Sequence, residues 1–124
     1  MKAPSFVLSA LACLTVMACA RDAERLAEQI SGGSVARGEA AFERYGCGTC
    51  HELHGRADAP GHVGPSLHDF ALQQALPGGL PNTPQALERW LRDPRAVEPR
   101  TTMPDLNVSA RDARDLAAFL YTMR

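Results

Sequence analysis

The chemistry of this chain is concentrated in five consecutive residues, Cys47-Gly48-Thr49-Cys50-His51. Two thiols at this C-x-x-C spacing, followed at once by an imidazole, reach the two vinyl groups of one porphyrin and form thioethers, with the histidine under the iron. Two other uses of such thiols compete. A zinc site takes four ligands, so Cys47 and Cys50 would need two more from His51, His54, His62 and His68. No second C-x-x-C and no tight H-x3-5-H pair supports that. A thioredoxin-like redox pair wants a βαβ frame, and the sequence has no strand pattern. The motif therefore predicts one haem c, covalently bound through Cys47 and Cys50, with His51 as an axial ligand.

A second axial ligand has to come from elsewhere in the chain. Met103 lies in a loop between a proline-stopped helix and the Ser109 cap. Its thioether is soft and neutral, which favours ferrous iron and suits an electron carrier. Pro104 biases Met103 towards an extended conformation and limits how the side chain is presented. Met123 falls on the apolar stripe of the last helix, where methionine fills gaps in a core. His54, His62 and His68 are the alternative sixth ligands, and loop residues in solvent are their default.

The elements that must position these groups are helices and loops. Apolar residues Ala36, Ala40, Ala41 and Phe42 predict a short helix over residues 35–45, which Gly46 can close in the left-handed conformation. Residues 51–82 hold most of the glycine and proline and read as loop, with a turn of helix near 66–73. Thr83-Pro84 is an N-cap followed by proline at the first helical position. Leu87, Trp90 and Leu91 form one apolar face, and Asp93-Pro94 stops that helix. Residues 94–108 read as a second loop. Ser109 to Asp112 resembles a capping box with aspartate in place of glutamate, and Leu116, Phe119, Leu120 and Met123 mark the buried stripe of the last helix. The fold class is all-α, three main helices and loops wrapped around one haem.

The 124 residues suffice for one small domain, and a net charge of −1 removes the footprint of a nucleic-acid binder. Aromatic residues make up only 6%, so a bound porphyrin would complete a core that side chains alone leave thin. After Lys2, the chain's one lysine, the stretch 3–20 is uncharged and ends in small residues, as in an export leader. Ala18-Cys19-Ala20 fits ordinary cleavage after residue 20, whereas Val16-Met17-Ala18-Cys19 is similar to a lipobox, with cleavage after residue 18 and lipid on Cys19. The second reading is preferred. Either way the protein is expected outside the cytoplasm, in the periplasm or on the outer face of the cytoplasmic membrane, lipid-anchored if Cys19 is acylated. Residues 19–34, polar and ending in Ser31-Gly32-Gly33-Ser34, read as a tether with some helical leaning.

Residues 35–124 resemble the class I c-type cytochromes. Gly38 and Phe42 are similar to that family's glycine and aromatic on the first helix, Gly64-Pro65-Ser66-Leu67 to its G-P-x-L segment, and Asp115 to Leu120 to its last helix. The resemblance implies that the Pro65 carbonyl accepts from the axial histidine and that Thr101 bonds a propionate. It also implies that Trp90, Leu67 and Leu91 wall the haem. Gly79-Leu80-Pro81-Asn82-Thr83-Pro84 and Leu87 to Pro94 look like the cytochrome domain fused to subunit II of bacterial haem-copper oxidases. A one-electron carrier follows, with redox proteins as partners, a membrane terminal oxidase foremost. Two alternatives stand beside it: a five-coordinate haem protein reacting with gases or peroxide, and the cytochrome subunit of a periplasmic dehydrogenase.

Overall fold

In the computed structural model, which describes residues 19–53 and 55–124, helices alternate with long loops. Among the described residues there is no strand, and Glu52–Pro60 and Ala75–Pro81 pair as isolated bridges. The described part of a first helix, α1, covers residues 19–31. It is followed by α2 (Val35–Arg44), α3 (Pro84–Arg92), α4 (Pro94–Val97) and α5 (Ala110–Leu120). Short 3-10 turns occupy Cys47–Thr49, Phe70–Leu72 and Pro77–Gly79. The all-α expectation and its three main helices, α2, α3 and α5, hold.

Helix α2 crosses α5 at close range. Gly38 is buried against the Asp115 carbonyl, and Phe42 packs on Phe119 with ring centroids 5.6 Å apart. At the same crossing Asp115, 2% exposed, accepts from the Ser34 N–H at 2.8 Å and from Nε and an NH2 of Arg37, each at 2.8 Å. A buried carboxylate must be paired, and here the pairing ties the start of α2 to the middle of α5. Leu87, Trp90 and Leu91 face the same core, as their spacing requires.

The caps follow the sequence signals. Thr83 Oγ1 accepts from Ala86 N–H at 3.3 Å, with Pro84 at the first helical position. Ser109 Oγ accepts from Asp112 N–H at 3.0 Å and its hydroxyl donates to Asp112 Oδ2. The Asp112 side chain takes Tyr45 OH at 2.8 Å and Arg44 at 2.9 Å, linking the end of α2 to the start of α5.

Two segments differ from the sequence reading. Pro94 ends α3 yet also begins the single turn of α4, because Asp93 Oδ1 accepts from Ala96 N–H at 3.0 Å and proline suits a first helical position. The loop therefore runs from Glu98 rather than from residue 94. The segment read as a tether is helical through residue 31, with Ala27 and Ser31 buried.

Candidate functional site

Gly46 stands at φ 67, ψ 28 and turns the chain out of α2, its N–H donating to Glu43 O at 3.0 Å. The motif then winds into a tight turn in which Cys50 and His51 N–H both donate to the Cys47 carbonyl, at 3.2 and 2.9 Å. No disulfide joins Cys47 and Cys50. Burial pushes the Cys47 thiol up to about 11, the opposite of what a thiolate nucleophile or metal ligand needs. A thioether sulfur carries no charge and suits that environment.

The segment after the motif folds back over it. Gly64 N–H donates to Cys50 O at 2.8 Å and Leu67 N–H to Glu52 O at 2.9 Å. Gly64 lies flat against the His51 ring: a Cβ at that position would sit 2.4 Å from Cε1. One residue on, the Pro65 carbonyl is 2.7 Å from His51 Nδ1. A carbonyl can only accept, so Nδ1 carries the proton and the Nε2 lone pair is left for a metal.

Across from this wall stands the loop from α4 to α5. Met103 N–H donates to Thr101 Oγ1 at 3.1 Å, a turn that fixes the methionine backbone. One cavity is lined by Cys50, His51 and Pro65 from the motif side, Trp90 from α3, and Thr101 and Met103 from the loop. Thus six of the sequence-derived residues meet there. Cys47, Leu67 and Leu91 are not on that lining: Cys47 is half-buried against the core edge, and Leu67 and Leu91 lie inside it. His62 and His68 are exposed loop residues off the cavity, and His54 lies outside the described residues. Cys19 is exposed at the start of α1. The donor set is what a c-type haem needs: the Cys50 thiol and an oriented imidazole on an apolar-lined gap with a thioether on its far side, and the Cys47 thiol one turn back at the core edge. Among the described residues no group of three or more His, Cys, Asp or Glu could hold a metal ion, and His54, one of the zinc candidates, lies outside them.

Sequence reasoning missed several contributors. Val63, Pro77 and Thr102 also line the cavity, and nothing in their local pattern marks them; Pro104, read only for its restraint on Met103, lines it as well. Arg56 was unread as well. It reaches Asp58 at 2.6 Å, Glu43 at 2.9 Å and Glu39, clamping the loop beyond the motif onto α2. Its guanidinium holds the Asp58 carboxyl below the usual carboxylate range.

Comparison with known proteins agrees with this geometry. The family model for cytochrome c matches residues 35–124. Over 89 residues the chain is 30% identical to the cytochrome c oxidase subunit 2 of Alkalihalophilus pseudofirmus. The match covers 71% of this chain and 25% of that protein, so the chain spans a quarter of its relative's length. No solved structure matches it. The family match over most of the chain, and the motif it contains, establish that this protein belongs to the cytochrome c family and binds haem c through Cys47 and Cys50.

Proposed function

We propose that this haem c electron carrier delivers single electrons to a membrane terminal oxidase, with His51 and Met103 as its axial ligands. The observation that carries the reading is that an imidazole oriented by Pro65 and a methionine held by Thr101 line the same cavity. Haem c supplies a one-electron ferric–ferrous couple when bound. His51 offers a neutral Nε2, made more basic because its Nδ1–H is given to Pro65. Met103 offers a soft thioether that favours the ferrous state and raises the potential. With His51 and Met103 as its ligands the iron would have no open site for a substrate.

The supporting roles follow from placement. Trp90 and Pro65 wall the cavity and exclude water, with Leu67 and Leu91 packed behind. Thr101 uses its hydroxyl oxygen for Met103 N–H, which leaves its O–H free to donate to a propionate. An iron held in this apolar-lined cavity would have its ferric state disfavoured by the low dielectric.

Support for an oxidase as acceptor comes from the GLPNTP segment and from the name of the relative, cytochrome c oxidase subunit 2. Support for export and anchoring comes from the uncharged stretch 3–20 and from Cys19. Among the described residues no helix is long and apolar enough to cross a membrane.

Optical spectra of the oxidised and reduced protein test the ligation: a low-spin methionine-ligated form that binds no carbon monoxide at neutral pH is expected. High-spin spectra with rapid carbon monoxide binding would overturn it. Reduced protein added to vesicles holding a haem-copper oxidase should support cyanide-sensitive oxygen uptake, and its absence would refute the acceptor. Intact mass of membrane-purified protein should show lipid on Cys19; a mature start at Arg21 would decide for ordinary cleavage.

A further inference from the structure

Helix α1 is the part of the molecule that the electron-carrier reading leaves without a task. Its far end is fastened to the haem domain. Ser31 Oγ donates to Ala27 O at 2.7 Å and accepts from Gly33 N–H at 3.1 Å. Glu28 Oε1 accepts from Val35 N–H at 2.9 Å, so a side chain of α1 caps α2. Gly33 lies against the Arg114–Asp115 backbone, and Ser34 N–H is held by Asp115. The Glu28 cap and the Gly33 packing tie the end of α1 to α2 and α5.

The exposed side of α1 has a pattern. At 3.6 residues per turn, Cys19, Ala23, Leu26 and Ile30 fall within a stripe about 60° wide. The buried residues Ala27 and Ser31 flank it on one side and Asp22 and Gln29 on the other, with Arg21 and Arg25 on the face beyond. Leu26 is 44% exposed and Ile30 47%, two of four large apolar side chains left open among the described residues. The stripe begins at Cys19, where the uncharged stretch from residue 3 arrives. None of the α1 residues lines the haem cavity.

We propose that the Leu26–Ile30 stripe of α1 rests on the lipid bilayer surface, so that the haem domain stands at a fixed angle to the membrane. The proposal rests on the reading that the N-terminal stretch or a lipid on Cys19 anchors the chain. Lipid is the occupant because the stripe starts at Cys19, the residue the anchor reading acylates, at the end of the uncharged stretch of the chain. Two side chains bind a bilayer weakly alone, but an anchor at the same helix end makes their contact intramolecular. The consequence is functional: a fixed angle presents the haem cavity in one orientation to a partner embedded in the same membrane.

The test uses the full-length haem-loaded protein in vesicles of phosphatidylethanolamine and phosphatidylglycerol, at one protein per several thousand lipids. Electron paramagnetic resonance of the ferric haem is recorded in oriented multilayers made from them. The expected result is a signal that changes with sample tilt, and loss of that dependence in Leu26→Gln/Ile30→Gln, which stays vesicle-bound with an unchanged haem spectrum. A vesicle-bound wild type with no tilt dependence would overturn the proposal while leaving the anchor standing. Wild type that does not bind vesicles would defeat the anchor, and the proposal with it. Tilt dependence that survives the double substitution, or that disappears on further dilution in lipid, would overturn it too. The latter would show that a second copy covers the stripe.

Discussion

Replacing Gly64 with alanine places a methyl carbon 2.4 Å from His51 Cε1, 2.7 Å from Nδ1 and 2.9 Å from Nε2. Carbon atoms settle at roughly 3.5–4.0 Å, so the ring and the Gly64 backbone must separate by about 1 Å. That displacement works directly against the 2.7 Å bond from Nδ1 to Pro65 O. Overpacking costs about 1–3 kcal/mol and a lost hydrogen bond about 1 kcal/mol more. For a domain of this size the melting temperature should fall by on the order of 10 °C. The redox effect has a definite sign. A histidine that no longer donates from Nδ1 is a poorer electron donor, so ferric iron is less stabilised and the potential should rise, by about 40 mV per kcal/mol of differential effect. Thermal melts of both redox states and a spectroelectrochemical titration measure the two quantities. A Gly64→Ala protein with unchanged melting temperature and potential would show that His51 is not held between Gly64 and Pro65, and the argument for its orientation would fall.

Met103→Ala should leave haem attached through Cys47 and Cys50, lower the potential and allow the reduced protein to bind carbon monoxide. If neither potential nor ligand binding changes, His54, His62 and His68 become the residues to test. Burial alone would raise the Asp115 carboxyl, but Arg37 and the Ser34 N–H outweigh it and hold the group below the ordinary carboxylate value. A depressed folded value means its stabilisation is complete above about pH 4 and is lost as pH falls through the folded value. Asp115→Asn should therefore lower stability at pH 7 by about 1 kcal/mol, since Arg37 is half-exposed and screened, and show a shallower acid transition in urea melts. Equal acid transitions would contradict the pairing. Arg56→Met leaves Glu39, Glu43 and Asp58 facing one another without their cation. Chemical denaturation should find it less stable than wild type at low ionic strength, with the gap narrowing in salt. A gap that salt does not change would mean that the clamp acts through packing.

Much of the site was legible because it is covalent and local. The Cys47–His51 spacing fixes which atoms can reach one porphyrin whatever the rest of the chain does. Caps and stripes at Thr83, Ser109, Leu87 and Leu116 depend on neighbours three and four residues away, and each formed where the residue types required. The resemblance to class I cytochromes added the Pro65 carbonyl, and the structure places it at hydrogen-bond distance from His51.

By itself the sequence determined the all-α class, the haem-binding motif and the three main helices, because periodicity and short-range hydrogen bonding decide those. Tertiary structure alone decided which loop residues share the cavity. Val63 and Pro77 meet Met103 only through packing of segments distant in the chain, and no local pattern records such a meeting. The same holds for Arg56, whose carboxylate partners on α2 lie 13 and 17 positions away, and for Asp115, which reaches back 81 positions to Ser34. Helix α1 shows the reason most plainly. Its composition reads as a polar tether, and its place comes from Glu28 capping α2 and from Gly33 packed on the Arg114–Asp115 backbone of α5, a contact that exists only once α5 has come across.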